Sequence, residues 1–258
     1  MSPQRIEIIG VGGIREVAPG DRLADLFVTA ASDQGETIRP GDVLVVAQKV
    51  VSKAEDRLVS LAGVRPTQRA IDFAAPSGKD PRVVQLVLDQ SASVVREDRA
   101  RGIMITETRH GFVCANAGID GSNVPADDSV LLLPEDPDAS ARQLADGVRA
   151  LAGIDTLGVV IADTFGRPWR EGHTDVAIGV AGIRPMLDYR GTRDTSGKVL
   201  RVTEIAVADE LAGAAELVMG KATGIPLAIV RGVSAALLGP YTGGARTLIR
   251  ARENDLFR

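Results

Sequence analysis

Residues 157–162 read LGVVIA, a run without one polar side chain, and Asp163 follows at once. A strand with one wet face alternates apolar and polar residues, so an unbroken run of this length predicts a strand buried on both faces. Such a strand needs cover on both sides of its sheet, which selects a layered structure containing helices. Residues 43–52, beginning VLVVA after the turn Pro40-Gly41-Asp42, predict a second strand, and residues 228–230 a third. Short strands are expected at 6–9 and 200–203, and a meander at 93–96, 103–106 and 112–115.

Helical spacing fills the intervals. Leu23, Leu26, Phe27 and Ala30 share one helical face, with Asp21 placed to cap it. A second helix is expected from Asp80 and Pro81, a third over 138–151 ending at Gly153, and a fourth over 206–219. The fold class is therefore mixed α/β of the α+β kind. No Pro/Gly-rich tract divides residues 1–258, which read as one module with room for two lobes.

Composition removes several functions. Aromatic residues make up 3% of the chain and the formal charge is −4, so neither a stacking platform for nucleic acid nor a global basic footprint exists. Cys114 is the only cysteine, which rules out a disulfide framework and fits a reducing cytoplasm. No apolar run approaches the roughly 20 residues of a membrane span. With only His110 and His173, a histidine metal cluster is excluded, and no GxSxG elbow supports a serine hydrolase. GxxxxGK[ST] is missing, because Gly220-Lys221 is followed by Ala222. GxGxxG fails too, because Arg15 takes the last glycine position after Gly10 and Gly12.

Two segments carry chemistry. Residues 116–123, NAGIDGSN, form a loop dense in turn-forming residues at a strand end, which reads equally as an ordinary Asx turn. Residues 163–169, DTFGRPW, place a carboxylate and a hydroxyl directly after the buried run, followed by Arg167, the only tryptophan and Arg170. Carboxylates at strand ends are a recurrent way to hold Mg²⁺ or Mn²⁺, which take hard oxygen ligands. Arg167 and Arg170 suit phosphate or carboxylate, or a surface ion pair. Cys114, inside an apolar strand, reads as a core residue, and Asp209 and Glu210 as capping or solvated residues.

Four blocks in order, GDVLVVAQKVVSKAEDR, NAGIDGSNV, LGVVIADTFGRPWREG and VADELAGAAELVMGKATGIPLAIVRG, closely resemble the coenzyme F-420-0:L-glutamate ligase family over nearly the whole chain. The resemblance implies a family-specific two-lobed fold, neither P-loop nor Rossmann, in an intertwined homodimer. It implies addition of L-glutamate to the lactyl carboxylate of coenzyme F-420-0, a deazaflavin precursor, and then γ-linked glutamates, with GTP converted to GDP and phosphate. It also implies two Mg²⁺ or Mn²⁺ ions per site and an assisting K⁺. The family occurs fused as well, ahead of a domain resembling flavin-dependent reductases, so the resemblance implies either a stand-alone enzyme or the N-terminal part of such a fusion.

Carried over by position, Asp120 and Asp163 match metal-binding aspartates and Thr164 the residue meeting a second metal. Asn123 matches a nucleotide contact. Ile14, Arg15, Glu16, Val17, Gln48, Lys49 and Lys53 match GTP-binding positions, as do Met219, Gly220, Lys221 and Ala222. Gln48-Lys49 departs from the small hydroxyl residues common there. With Asp120 and Asp163 as catalytic residues, Arg167 and Arg170 are expected to bind substrate phosphate or glutamate. A ligase for another acid and amino acid, or a nucleotide-binding module without catalysis, remains open at this point.

Overall fold

The computed structural model describes residues 5–121 and 128–256. In chain order the first elements are β1 (Glu7–Val11), α1 (Leu23–Asp33), β2 (Val43–Ala47), α2 (Gln48–Ala54), β3 (Leu58–Ser60), α3 (Gln68–Ala74) and α4 (Pro81–Asp89). Then come β4 (Ser91–Asp98), β5 (Ile103–Thr108), β6 (Val113–Ala115), β7 (Ser129–Leu131) and α5 (Pro137–Ala152). The last are β8 (Gly158–Arg167), β9 (Arg170–Ala181), β10 (Leu187–Asp188), β11 (Glu204–Ile205), α6 (Val207–Met219) and β12 (Leu227–Arg231).

Five strands form the central sheet in the order β1-β12-β2-β8-β9. Only β2 and β8 run parallel; the other neighbours are antiparallel. The apolar runs occupy the middle as expected: Val43 to Val46, Val159 to Ile161 and Leu227 to Val230 are fully buried. Each such side chain contributes about 1.5–3 kcal/mol by leaving water, so these strands anchor the main core. Helix α5 packs on β8 and β9 and carries α1, while α6 crosses β9, β1 and β12. Gly179 makes the α5 contact: a Cβ there would stand 2.3 Å from the Pro137 carbonyl oxygen. Signals at both ends fix α5. Asp136 accepts from the Ala139 amide at 3.0 Å, Pro137 opens the helix, and Gly153 closes it in the left-handed region with φ 65°.

A smaller core lies apart from the main one. It joins Phe73 of α3 and Val84 and Val87 of α4 to Met104 of β5, in the sheet β4-β5-β6. The helix from Pro81 and the meander form where expected, and Asp80 caps α4 by accepting from the Arg82 amide at 2.8 Å.

Four expectations are corrected. The strand expected over 43–52 stops at Ala47, and α2 begins at Gln48. The neighbouring strand β12 begins only after Pro226, which has no N–H to extend the ladder, and the unbranched Gln48 and Lys49 accept helical geometry. Residues 163–167, expected as a loop, continue β8 because β9 pairs with them, Asp163 opposite Val176 and Thr164 opposite Asp175. No strand forms at 200–203; β11 lies just beyond. Asp21 does not cap α1, since its carboxylate is taken by the Ala18 amide and the Arg15 guanidinium.

Candidate functional site

The site lies where β2 ends. Ala47 is paired with Ala162, so beyond that point the chain of β2 turns into α2 while β8 continues alone toward β9. Asp163 and Thr164 therefore emerge beside Gln48 and Lys49, at the floor of a cavity of about 590 Å³. The segment after β1 brings Ile14, Arg15, Glu16 and Val17 to its wall, α2 adds Lys53, and the turn after α6 adds Met219, Gly220, Lys221 and Ala222. Four distant stretches of sequence meet here.

Charge is unevenly matched within it. Lys53 pairs with Glu16 at 2.5 Å, and Arg15 with Asp21 at 2.6 Å, which holds the Asp21 carboxyl down to about 2. Lys49 pairs with Asp120 at 2.6 Å. Asp120 lies just outside the cavity wall, its backbone bridged to Leu131. Asp163 is the opposite case. Burial pushes its carboxyl up to about 7; the Thr164 amide and the Lys221 charge pull against that rise, and the charges of Asp120 and Asp175 add to it. The same burial, reinforced by Asp163, raises the Cys114 thiol to about 12, so Cys114 is a protonated core residue and no nucleophile.

Thr164 sits between a cation and an anion. The Lys221 ammonium donates to its hydroxyl oxygen, and the hydroxyl donates to Asp175 at 2.5 Å. A hydroxyl has one proton, so with that proton committed to Asp175 the oxygen offers only lone pairs to any cation in the cavity. Gln48 is also prepared for a ligand. It is 1% exposed, its amide oxygen accepts from Ser52, and its amide nitrogen is buried with no partner among the described residues. Either orientation of the amide leaves one end unpaired.

The donor set fits a divalent cation. A desolvated carboxylate facing two further carboxylates is an arrangement that Mg²⁺ or Mn²⁺ stabilises and water does not. Among the described residues no group of three or more His, Cys, Asp or Glu side chains is close enough to form a complete cage. Asp163, Asp120 and Thr164 would supply part of the coordination, and phosphate oxygens and water the rest, as is usual for Mg²⁺.

Not every expected residue joins this cavity. Arg167 lines a second, shallower one of about 500 Å³, which shares Asp175 with the first. Arg170 stands exposed at the start of β9. Asn123 lies outside the described residues. Asn116 serves the fold, accepting from Lys79 at 3.0 Å and the Met104 amide at 3.2 Å. Gly118, next in that turn at φ 69°, is required because a Cβ would stand 2.9 Å from Leu133. Asp209, expected as a cap or solvated, accepts from the Ala177 amide at 2.9 Å and fastens α6 to β9.

Two functional candidates escape a reading by motif, Asp175 and Glu216, both in the first cavity wall. Asp175 is 5% exposed. The signal for it was present: Asp175 heads the apolar run 176–181 as Asp163 closes 157–162, and an antiparallel pairing of the two runs brings both carboxylates to one end.

A sequence profile of the family described as F420-0:gamma-glutamyl ligase matches residues 13–232. The chain is 46% identical over 255 residues to the coenzyme F420:L-glutamate ligase of Methanothermobacter thermautotrophicus, covering 98% of this chain and 99% of that one. It is 48% identical over 248 residues to the enzyme of the same name from Methanopyrus kandleri, covering 95% and 94%. With that of Methanocaldococcus jannaschii it shares 42% identity over 223 residues, 86% of each chain. Among the described residues no helix is long and apolar enough to cross a membrane.

Proposed function

The chain belongs to the F420-0:gamma-glutamyl ligase family and is a ligase, and on that premise we propose that it joins L-glutamate to the lactyl carboxylate of coenzyme F420-0 and then adds γ-linked glutamates, using GTP. The observation that carries the nucleotide part of this reading is the first cavity. It gathers three cations from two stretches of chain, Lys49 and Lys53 of α2 and Lys221 after α6, around a desolvated aspartate, with an unpaired amide in its wall.

A carboxylate acylates poorly because oxide is a hopeless leaving group. Its oxygen therefore attacks the γ-phosphorus of GTP, the bond to the β-γ bridging oxygen breaks, and GDP leaves. The acyl phosphate then accepts the glutamate amine, and phosphate departs with the C–O electron pair. Bound Mg²⁺ or Mn²⁺ would neutralise charge on the transferring group and align the attacking and leaving oxygens. Asp163 and Asp120 would hold such a cation, and Thr164, its proton committed to Asp175, would contribute a lone pair. Lys53, Lys49 and Lys221 bind phosphate oxygens, and the Gln48 amide donates to the nucleotide. K⁺ assists, and the protein acts as a homodimer.

The test is a product mass ladder made from F420-0, GTP and L-glutamate, with GDP measured alongside. Masses rising by one glutamate per GDP are expected. Nucleotide turnover with another acid and amino acid but none with this pair would overturn the substrate assignment, and binding without GDP release would overturn catalysis.

A further inference from the structure

The tip of the β8–β9 hairpin presents a large aromatic side chain to solvent between two arginines. Trp169 is 86% exposed, although a tryptophan is among the most favourable side chains to bury. Its backbone is left-handed, φ 63°, as the two-residue turn Pro168-Trp169 between the paired Arg167 and Arg170 requires, a position where glycine is the usual choice and a tryptophan stands instead. A large aromatic side chain held out in a turn between two arginines is suited to stacking on a ring that carries negative charge. Flanking it, Arg167 and Arg170 have no carboxylate partner among the described residues; Arg167 donates instead to the carbonyls of Glu171 at 2.7 Å and Gly172 at 3.3 Å.

We propose that this tip is the binding site for a planar aromatic group attached to an anionic chain, with Trp169 stacking on the ring and Arg167 and Arg170 holding the anion. Position selects the ligand. Neither Trp169 nor Arg167 lines the first cavity, so the nucleotide base is not the ring concerned. Arg167 lines the second cavity, whose shared wall with the first is Asp175, and β8 runs from Asp163 to Arg167 with a register shift only at its last step, between Gly166 and Arg167. That stretch spans roughly 13 Å at about 3.3 Å per residue.

A ligand whose reacting end meets the phosphates near Asp163 can therefore lie along the second cavity with its far end at the tip. Of the four carboxylates on that wall, Asp209 is engaged by the Ala177 amide, Glu204 by Arg190 at 3.0 Å and Asp175 by the Thr164 hydroxyl, which leaves Glu210 to face the ligand. Resting on the function proposed above, the ligand is the acceptor, whose reacting carboxylate and deazaflavin ring are at opposite ends of one molecule.

Trp169 is the only tryptophan, so intrinsic fluorescence reports on this one position. F420-0 alone should shield it from quenching by acrylamide, and GTP alone should not. Trp169→Gly should raise KM for F420-0 about tenfold, the scale of a stacking contact. The same variant should leave kcat and the KM for GTP within about twofold and should not lower Tm, since glycine relaxes the backbone. Trp169→Phe, which keeps a ring, should recover most of the affinity.

The proposal is overturned by any of four results: no shielding by F420-0, equal shielding by GTP, an unchanged F420-0 KM in Trp169→Gly, or shielding in the ligand-free protein that disappears on dilution, which would put a second copy on the tip. Shielding is read without turnover. A failure of the ligase reading, seen as no GDP release with F420-0, is thus distinguished from a failure of the site.

Discussion

Two aspartates stand at opposite ends of the central sheet, Asp42 buried and Asp163 partly buried, and the protein treats them oppositely. Asp42, just before β2, is 1% exposed and fully engaged: it accepts from the Arg39 amide at 2.8 Å and from two nitrogens of Arg231 at 3.0 Å each. Arg231 is itself held by the Thr37 carbonyl at 2.9 Å and by Glu36. At the other end Asp163 is desolvated and faces Asp120 and Asp175, and its carboxyl is pushed up to about 7. A buried charge that is bidentately paired belongs to the architecture, tying β2 to β12. One left among its own kind is held by the fold at a cost, and costs of this sort concentrate where ligands bind.

Substitution should separate the two ends. Asp163→Asn is expected to lower turnover about a thousandfold, because an amide is a weak ligand for a hard cation and the charge on the transferring phosphoryl is then poorly compensated. Its effect on stability should have the reverse sign. A carboxyl raised in the folded state contributes stability that is present below about pH 4 and is lost as pH rises through about 7. Metal-free Asp163→Asn should therefore be more stable than wild type at pH 8, by about 2–4 kcal/mol, and no more stable near pH 4. Urea unfolding at the two pH values measures this, and a loss of stability at pH 8 would erase the contrast between the two ends.

Asp42→Ala, by comparison, should destabilise the fold by about 3–5 kcal/mol, since it strands the Arg231 guanidinium without its main partner. The molecules that remain folded should keep the wild-type KM for GTP. A large KM change there would show that the two ends are coupled through the strands. Asp175→Ala should weaken Mn²⁺ binding by about 10–100-fold, measured by titration in the presence of GDP, because the hydroxyl of Thr164 loses the acceptor that orients it. Lys53→Ala should have the smallest effect, raising the KM for GTP about three- to tenfold, since its partner Glu16 is mostly exposed.

Much of the fold was legible in sequence wherever a local rule had no competitor. The buried runs, the cap of α4 and the left-handed Gly153 that ends α5 follow from side-chain polarity and backbone sterics within a few residues. The misreadings occur where a partner distant in sequence decides. Residues 163–167 carry loop-like composition but remain a strand because β9 supplies a ladder, and β2 gives way to α2 where Pro226, just before β12, offers no N–H to carry the pairing past Ala47.

The site divides along the same line. Sequence by itself determined that a carboxylate and a hydroxyl stand at the end of a doubly buried strand, and the resemblance of four blocks to known ligases pointed to the residues around them. Only the tertiary structure decided which of those residues meet: Lys221 and Asp175 at Thr164, Lys49 at Asp120, and Arg167 on a different cavity from the lysines. Local sterics and hydrophobic burial act over a few residues and can be read from the chain. Desolvation and the field of neighbouring charges depend on what folding brings alongside, and it is these that separate Asp163 from Asp42.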